Sequence, residues 1–240
     1  MDSEGGWWNA SPVSDPIQKL IGNVAEVNRL LEIHKQLAGN SPGRKHKVEV
    51  LNKSAIVLLV ACWESFIEDL AGAAFEAMMT SAADPSVFPN DVLTLSSKAL
   101  RTDSDTRKVW RLAGIGWKTV LADHKTEILK EYVGKLNTPK PKQIDGLFSS
   151  LTGISSLSAT WTWHKSSAAQ AVEKLTKLVE LRGSIAHRVA ASSAVHKSTV
   201  SSYVEFVYRL SVVSSNQVRT FVHARTKAHP WNHYYFKNTK

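Results

Sequence analysis

The run Ala55-Ile56-Val57-Leu58-Leu59-Val60-Ala61-Cys62-Trp63 decides the fold, because it is apolar through about two and a half helical turns. It lies within Arg44–Met79, whose composition favours one long helix that opens with a basic cluster. A helix that is apolar on most sides must be covered on most sides by other elements. The sequence therefore predicts a central helix surrounded by others.

The rest of the chain also reads as helices, with no convincing strand. Glycine and proline clusters separate the segments whose apolar residues recur at helical spacing. The predicted helices, besides the central one, are Ile17–Ala38, Asn90–Lys98, Val109–Leu136, Gln143–Thr152, Ser166–Ala191 and His196–Lys227. The predicted fold class is all-α, an antiparallel helical bundle. We expect residues 1–15 to form a flexible arm, 16–227 a single helical domain and 228–240 an aromatic, basic tail.

Composition bounds the possible functions. The 240 residues can bury a core without covalent staples, and one cysteine, Cys62, excludes an internal disulfide framework. The histidines lack metal-ligand spacing, so neither a metal nor another cofactor is expected. We expect no signal peptide and no membrane span, hence a cytoplasmic location, because the best apolar run falls short of about 20 residues. A net charge of +9 favours RNA or DNA as partner, although it also fits a well-solvated basic surface.

One late segment, Glu180-Leu181-Arg182-Gly183-Ser184-Ile185-Ala186-His187-Arg188, carries a candidate chemistry. Arg182 and His187 lie about 140° apart around the helix. The projection places a floor of mostly small residues between them: Val179, Gly183, Ala186 and Ala190. It places an apolar stripe toward the core at Leu178, Leu181, Ile185 and Val189. The sequence thus predicts a shallow surface edged by an arginine and a histidine.

These two side chains suit RNA cleavage. His187 could take the proton of a ribose 2′-hydroxyl, since imidazole titrates near neutral pH. Arg182 could hold the phosphate and stabilise the charge that develops on it. No metal is needed when the 2′-hydroxyl is the nucleophile, and DNA would not be cut. In the alternative interpretation His187 caps a helix surface and Arg182 pairs with Glu180 or Glu64.

Three segments in order resemble the HEPN superfamily, and within it the RiboL-PSP type. Ala61–Leu70 is similar to that family's apolar-Trp-Glu-x-Phe helix. Asn137–Phe148 is similar to its proline-rich turn before a short helix. Leu178–His187 is similar to its Arg-x4-His signature ending in Ala-His. The three segments span roughly residues 50–190, and their combination is more specific than any one of them.

The resemblance implies a helical bundle, a homodimer with a shared cleft and metal-independent RNA cleavage. It also implies a toxin–antitoxin or antiphage setting, with an antitoxin or a defence protein as partner. Arg182 and His187 correspond to the motif pair and Glu64 to the family's helix acid. Gly183 departs from the pattern, in which the residue after the arginine is often polar, commonly asparagine. Ser184 is the candidate to replace that side chain, but it lies about 100° further round the helix.

Other charged residues allow more than one interpretation. Glu64 follows an apolar run, so it needs a partner, either Arg182 or a surface lysine. Arg29 and His34 repeat the spacing of the motif pair and are interpreted as helix surface. Three cations, Lys45, Lys47 and Arg188, are candidate contacts for RNA phosphates. Solvation of a helix end is the alternative for the two lysines.

Aromatic residues near the C-terminus are a further candidate surface. Trp231–Lys237 interleaves aromatic and basic residues, as base-stacking surfaces do. Docking on the bundle or on a second subunit is favoured, because exposed aromatic clusters are costly. Trp161, Trp163 and His164 are expected to close the core beneath the preceding loop.

The most direct interpretation is a homodimeric HEPN endoribonuclease that acts as a toxin or antiphage effector. A non-catalytic HEPN module that binds RNA or a partner protein is the alternative, with Gly183 as the sign of lost activity. A third interpretation is a helical scaffold that dimerises within a larger defence assembly.

Overall fold

The computed structural model describes residues 15–38, 48–133, 139–187 and 194–236, without the side chains of Ala38, Val133 and His187. The α-helices in these ranges are α1 (Pro16–Ala38), α2 (Glu49–Ser81), α3 (Asn90–Ser96), α4 (Lys98–Thr102), α5 (Gly116–Val133), α6 (Pro141–Thr152), α7 (Ala168–His187) and α8 (Lys197–Thr226). Backbone pairing of the β type within the described ranges is one isolated bridge, between Trp163 and Ser166. The predicted all-α bundle is confirmed.

Helix α2 occupies the centre of the bundle. It contacts α1, α5, α6, α7 and α8, which cover it on most sides. The predicted start at Arg44 lies outside the described residues, and the helix runs two residues beyond the predicted end, to Ser81. The apolar middle of α2 is thus covered by other helices, as the sequence predicts. Packing against it fixes the positions of those helices.

Aromatic rings fill the space between α2 and the loop that precedes α7. The rings of Trp63 and Phe66 stack with centroids 5.7 Å apart, and Trp161 meets Trp63 edge-on at 6.2 Å. The indole N–H of Trp161 donates to Ser214 Oγ on α8 (2.9 Å), so the buried donor is satisfied. The expectation that the loop closes the core is confirmed for Trp161. His164 is exposed, which contradicts that expectation.

The predicted helix Val109–Leu136 was wrong in its first part. A 3-10 segment, Thr106–Leu112, and a turn replace it, and α5 begins at Gly116. Gly114 adopts φ +59, a left-handed conformation that favours glycine. A Cβ at Gly116 would lie 2.0 Å from the carbonyl oxygen of Arg111. The two glycines therefore allow a tight turn that no helix could continue through.

The expectation that no segment is long and apolar enough to cross a membrane was also wrong. By length and composition alone, Glu49–Ser81 meets that condition. Half of its most apolar window is buried inside the bundle, as in the core helix of a helical protein.

The C-terminal tail docks on the bundle as far as Phe236, as favoured by the sequence. Trp231 is almost completely buried, and its carbonyl accepts from Arg219 Nε (2.8 Å). The backbone of Tyr234 exchanges two hydrogen bonds with the side chain of Asn216, at 2.7 and 3.0 Å. The Tyr234 hydroxyl donates to Asp15, which ties the tail to the start of α1. The division into arm, domain and tail stays a prediction.

We expect Gly116→Ala to lower the free energy of unfolding by about 1–3 kcal/mol, because the added methyl would overlap the Arg111 carbonyl. Gly22→Ala in α1 is the matched control, since its Cβ would meet nothing within 4 Å. That variant should gain about 0.5–1 kcal/mol from helix propensity. Thermal denaturation followed by circular dichroism checks both, and a Gly116→Ala protein as stable as the parent contradicts the account of the turn.

Candidate functional site

Arg182 lies on the core-facing side of α7. The buried residues of this helix are Ala171, Leu175, Leu178, Val179 and Ile185. At 100° per residue, Arg182 falls in the middle of this buried face, near the helix end. Its side chain is half-buried. The arginine therefore belongs to the junction of α7 with the bundle and does not edge an open surface.

The predicted floor between Arg182 and His187 is smaller than the sequence indicated. Val179 is 1% exposed and belongs to the core, because the face of α7 that packs on the bundle includes this residue. Gly183 is half-exposed and Ala186 exposed, so these two remain as floor. Ala190 and Val189, the last members of the predicted floor and stripe, lie outside the described residues.

The central helix presents Glu64 toward this end of α7, with Glu68 beside it. Glu64 and Glu68 are one turn apart on α2, and both are half-buried. Burial raises the pKa of the Glu64 carboxyl, the charge of Glu68 raises it further, and Arg182 acts in the opposite direction. Burial, followed by the charge of Asp69, raises the pKa of Glu68. The structure thus brings Glu64 and Arg182 together, and the guanidinium stabilises an acid that is otherwise destabilised.

Glu180, the other predicted partner of Arg182, is engaged elsewhere. Its Oε1 lies 3.3 Å from Nζ of Lys140, the residue immediately before α6. Lys140 belongs to the proline-rich turn, so that turn is adjacent to α7 as well. The three segments that carry the family resemblance therefore converge at one end of α7.

Gly183 and Ser184 add no free polar group to this region. A Cβ built on Gly183 meets nothing within 4 Å, so there is open space beside the helix. Ser184 Oγ donates to the carbonyl of Leu181 (2.8 Å), a bond within its own helix. Ser184 is thus turned onto the α7 backbone, and the suggestion that it replaces a polar residue at 183 gains no support.

Several predicted site residues cannot be placed by their side chains. His187 is the last described residue of α7, and its imidazole lies outside the described atoms. Arg188, Lys45 and Lys47 also fall outside the described residues. The roles of these four stay predictions.

The repeated spacing in α1 forms no comparable site. Arg29 is exposed, which fits its interpretation as helix surface. His34 is half-buried, and burial, followed by the charge of Lys197 on α8, lowers the pKa of its imidazole. No group of three or more His, Cys, Asp or Glu side chains suited to a metal ion occurs among the residues that the structure describes.

Glu68 is the site residue that the sequence interpretation missed. Its neighbour Asp69 pairs with Lys19 on α1, at 3.1 Å. A carboxylate four residues after Glu64, on a helix apolar on most sides, was the available signal. Two neighbouring acids on a buried helix need a cation more than one acid does.

The fold and this site define an all-helical bundle in which an arginine near the end of one helix meets an acid of the central helix. A family model described as RiboL-PSP-HEPN matches residues 23–218, and the chain belongs to that family. No curated protein and no solved structure matches the chain significantly. Membership of a HEPN family points to an RNA-related role, of which ribonuclease activity is one form.

The contacts at Glu64 predict how its carboxyl responds to substitutions around it. Glu68→Gln should lower the pKa of Glu64, because a like charge is removed, and Arg182→Gln should raise it further above its ordinary value. Lys140→Gln is the control, since Lys140 pairs with Glu180 and should leave Glu64 unchanged. Carbon-detected NMR titration of the glutamate carboxyls measures all three. If the pKa of Glu64 is the same in Arg182→Gln as in the parent, the two residues are not paired.

Proposed function

We propose that this protein is a metal-independent endoribonuclease in which Arg182 and His187 are the active pair. Membership of a HEPN family supports an RNA-related role. The single observation that carries the assignment is the position of Arg182, half-buried near the end of α7 and opposite Glu64. An arginine held there by an acid can present its remaining N–H groups to a phosphate.

In the proposed reaction the RNA supplies its own nucleophile. His187 removes the proton of a 2′-hydroxyl, and the oxygen forms a bond to the adjacent phosphorus. The bond from phosphorus to the 5′-oxygen breaks, and that oxygen takes up a proton delivered by an imidazolium. The products are a 2′,3′-cyclic phosphate and a 5′-hydroxyl, so atoms and charges balance without a metal.

Arg182 would neutralise the phosphate during this step. Its guanidinium offers several N–H donors in a fixed fork, which matches two phosphate oxygens. Glu64 would orient that fork while leaving other donors for RNA. Half-burial of both groups strengthens their interaction compared with water.

Two copies of the chain would complete the site. A two-fold axis beside the end of α7 would bring two arginines and two histidines into one cleft. Gly183 and Ala186 leave little side-chain bulk there, so a second helix or an RNA strand could approach closely. We therefore propose a homodimer with a composite active site.

The biological setting belongs to the same proposal. A ribonuclease that needs no cofactor would act on cytoplasmic RNA as soon as it is free to do so. Such activity fits a toxin or antiphage effector that an antitoxin or another defence protein restrains. The +9 charge of the chain suits an RNA partner.

A second candidate is a non-catalytic HEPN module that binds RNA or a partner protein. The observation that favours it is the lack of a free polar side chain after the motif arginine. Gly183 has none, and Ser184 is bonded to Leu181. If orientation of the phosphate depends on that position, the chain binds RNA without cutting it.

We expect purified protein to cut end-labelled RNA in EDTA and to leave cyclic-phosphate ends. His187→Ala should slow cutting at least about a hundred-fold, because the general base is lost. His34→Ala, from the repeated spacing in α1, is the matched control and should cut at the parent rate. Cutting by His187→Ala at the parent rate sinks the proposal, since the activity would then lie elsewhere.

We expect Gly183→Asn to raise the rate of RNA cleavage about ten-fold, as one added hydrogen bond to a charged group would. The open space at Gly183 accommodates the side chain. Gly22→Asn in α1, equally open, is the control for an effect on helix stability. Activity that appears only in Gly183→Asn favours the non-catalytic module for the natural chain, and an unchanged rate shows that position 183 does not limit catalysis.

A further inference from the structure

A second cleft lies at the other end of α7, between the loop before that helix and α8. Its volume is about 320 Å³, within the range of sites for small molecules. The residues that give it character are Trp163, Lys165, Lys174, Phe206 and Arg209. The proposed active pair contributes nothing to it. Its lining is aromatic on one side and cationic on another.

The aromatic side is formed by Trp163 and Phe206. Their ring centroids are 6.1 Å apart at an interplanar angle of 50°. Phe206 is buried and supports Trp163, which is half-buried and lines the cleft. A large ring fixed from behind in this way is a stacking platform for a planar ligand, as aromatic side chains are for nucleic-acid bases.

The cationic side is formed by Lys174, which is held above aromatic rings. Its Nζ lies 5.0 Å from the Phe206 centroid and 5.8 Å from that of Tyr203, and it donates to Ser202 Oγ (3.2 Å). Burial lowers the pKa of Lys174, while the charge of Glu205 acts in the opposite direction. An anion bound in the cleft would stabilise the charged form of Lys174, which burial destabilises.

The acid in the cleft is already neutralised. Glu205 Oε1 accepts from Nε and Nη2 of Arg209, at 3.0 and 2.8 Å. The paired charges of Glu205 and Arg209 offset each other, so Lys174 and Lys165 leave the cleft positive. An anionic ligand is therefore favoured.

Lys165 stands in a backbone conformation that residues with side chains rarely adopt. Its φ is +62, within a tight turn closed by two hydrogen bonds between Trp163 and Ser166, at 3.1 and 2.9 Å. Glycine would fit this position without strain. A strained lysine beside a cleft is the kind of outlier found at binding sites, and here it adds a second cation at the margin.

We propose that this cleft binds one nucleotide unit, with its base against Trp163 and its phosphate at Lys174 and Lys165. Gln170 and Ser202 line the same cleft. Their oxygens accept from Ser167 and Lys174, so the Gln170 amide N–H groups and the Ser202 hydroxyl can donate to the edge of a base. A planar, anionic ligand matches both sides of the cleft at once. A purely apolar ligand would cover Lys174 without pairing its charge.

Either single-stranded RNA or a free nucleotide could supply this unit. The RNA source rests on the proposed function and deepens it, because the cleft would then hold the substrate strand away from the point of cutting. Lys174 precedes Arg182 by eight residues, or about 12 Å along the axis of α7. A strand of a few nucleotides spans that distance.

The test measures binding in the His187→Ala background, which removes cutting from the assay. One arm uses fluorescence anisotropy of a short labelled single-stranded RNA, and the other uses calorimetry with AMP. Lys174→Glu and Trp163→Ala should each weaken binding about five-fold or more. Lys177→Glu and Trp110→Ala are matched controls, since Lys177 pairs with Glu173 on the exposed side of α7 and Trp110 is 75% exposed elsewhere.

Weakened RNA binding in the cleft variants, with the controls at the parent affinity, supports the RNA source. AMP binding that Lys174→Glu abolishes, with RNA binding unchanged, supports the free-nucleotide source. Equal binding of both ligands by parent and cleft variants, or binding of neither ligand, overturns the proposal. If circular dichroism shows that Trp163→Ala is unfolded, Lys174→Gln takes its place in both arms.

The outcome is separate from that of the ribonuclease proposal. If the protein never cuts RNA but Lys174→Glu lowers its RNA affinity, the cleft proposal is supported and the ribonuclease proposal is not. If the protein cuts RNA through His187 and its cleft variants bind as the parent does, the ribonuclease proposal is supported and the cleft proposal is overturned.

Discussion

Burial of α2 on most of its sides is the constraint on which the rest of the structure depends. A helix with the apolar run Ala55–Trp63 at its centre cannot leave that run in water, so α1, α5, α6, α7 and α8 are arranged around it. Charged residues on such a helix are confined to the strip that its neighbours leave partly open. Their chemistry is then set by whatever side chains the surrounding helices bring to that strip.

Glu64 and Glu68 occupy that strip. The free-energy cost of partly burying their carboxylates explains the position of Arg182. Burial is the main cause of the raised pKa of each carboxyl; the charge of Glu68 adds to it at Glu64, and the charge of Asp69 adds to it at Glu68. A permanently charged guanidinium offsets part of this cost. The same arrangement places Glu64 on one side of Arg182 and leaves open space beside Gly183. Stability and anion binding therefore favour the same residue at the same place.

The sequence predicted most of the helices, because local periodicity carries that information. Its errors have a common physical origin in contacts between distant residues. Val179 was assigned to an open floor because a projection shows relative angles and not which side faces the core. The helix at 109–115 failed because Gly114 and Gly116 fit a backbone turn against Arg111. The cleft at Trp163 joins a loop to α8, which no local pattern reveals.

The two anion-binding regions proposed for α7 lie at its two ends, which face different neighbours. Near its start, Lys174 faces aromatic residues and hydroxyls of α8. Near its end, Arg182 faces Glu64 of α2. The two positions differ by about 80° around the helix and 12 Å along it, so neither region requires the other to form. A strand that engaged both would be bound at two points of one rigid helix. Each contact would then raise the effective concentration of RNA at the other, and the two together would hold the strand more firmly than either alone.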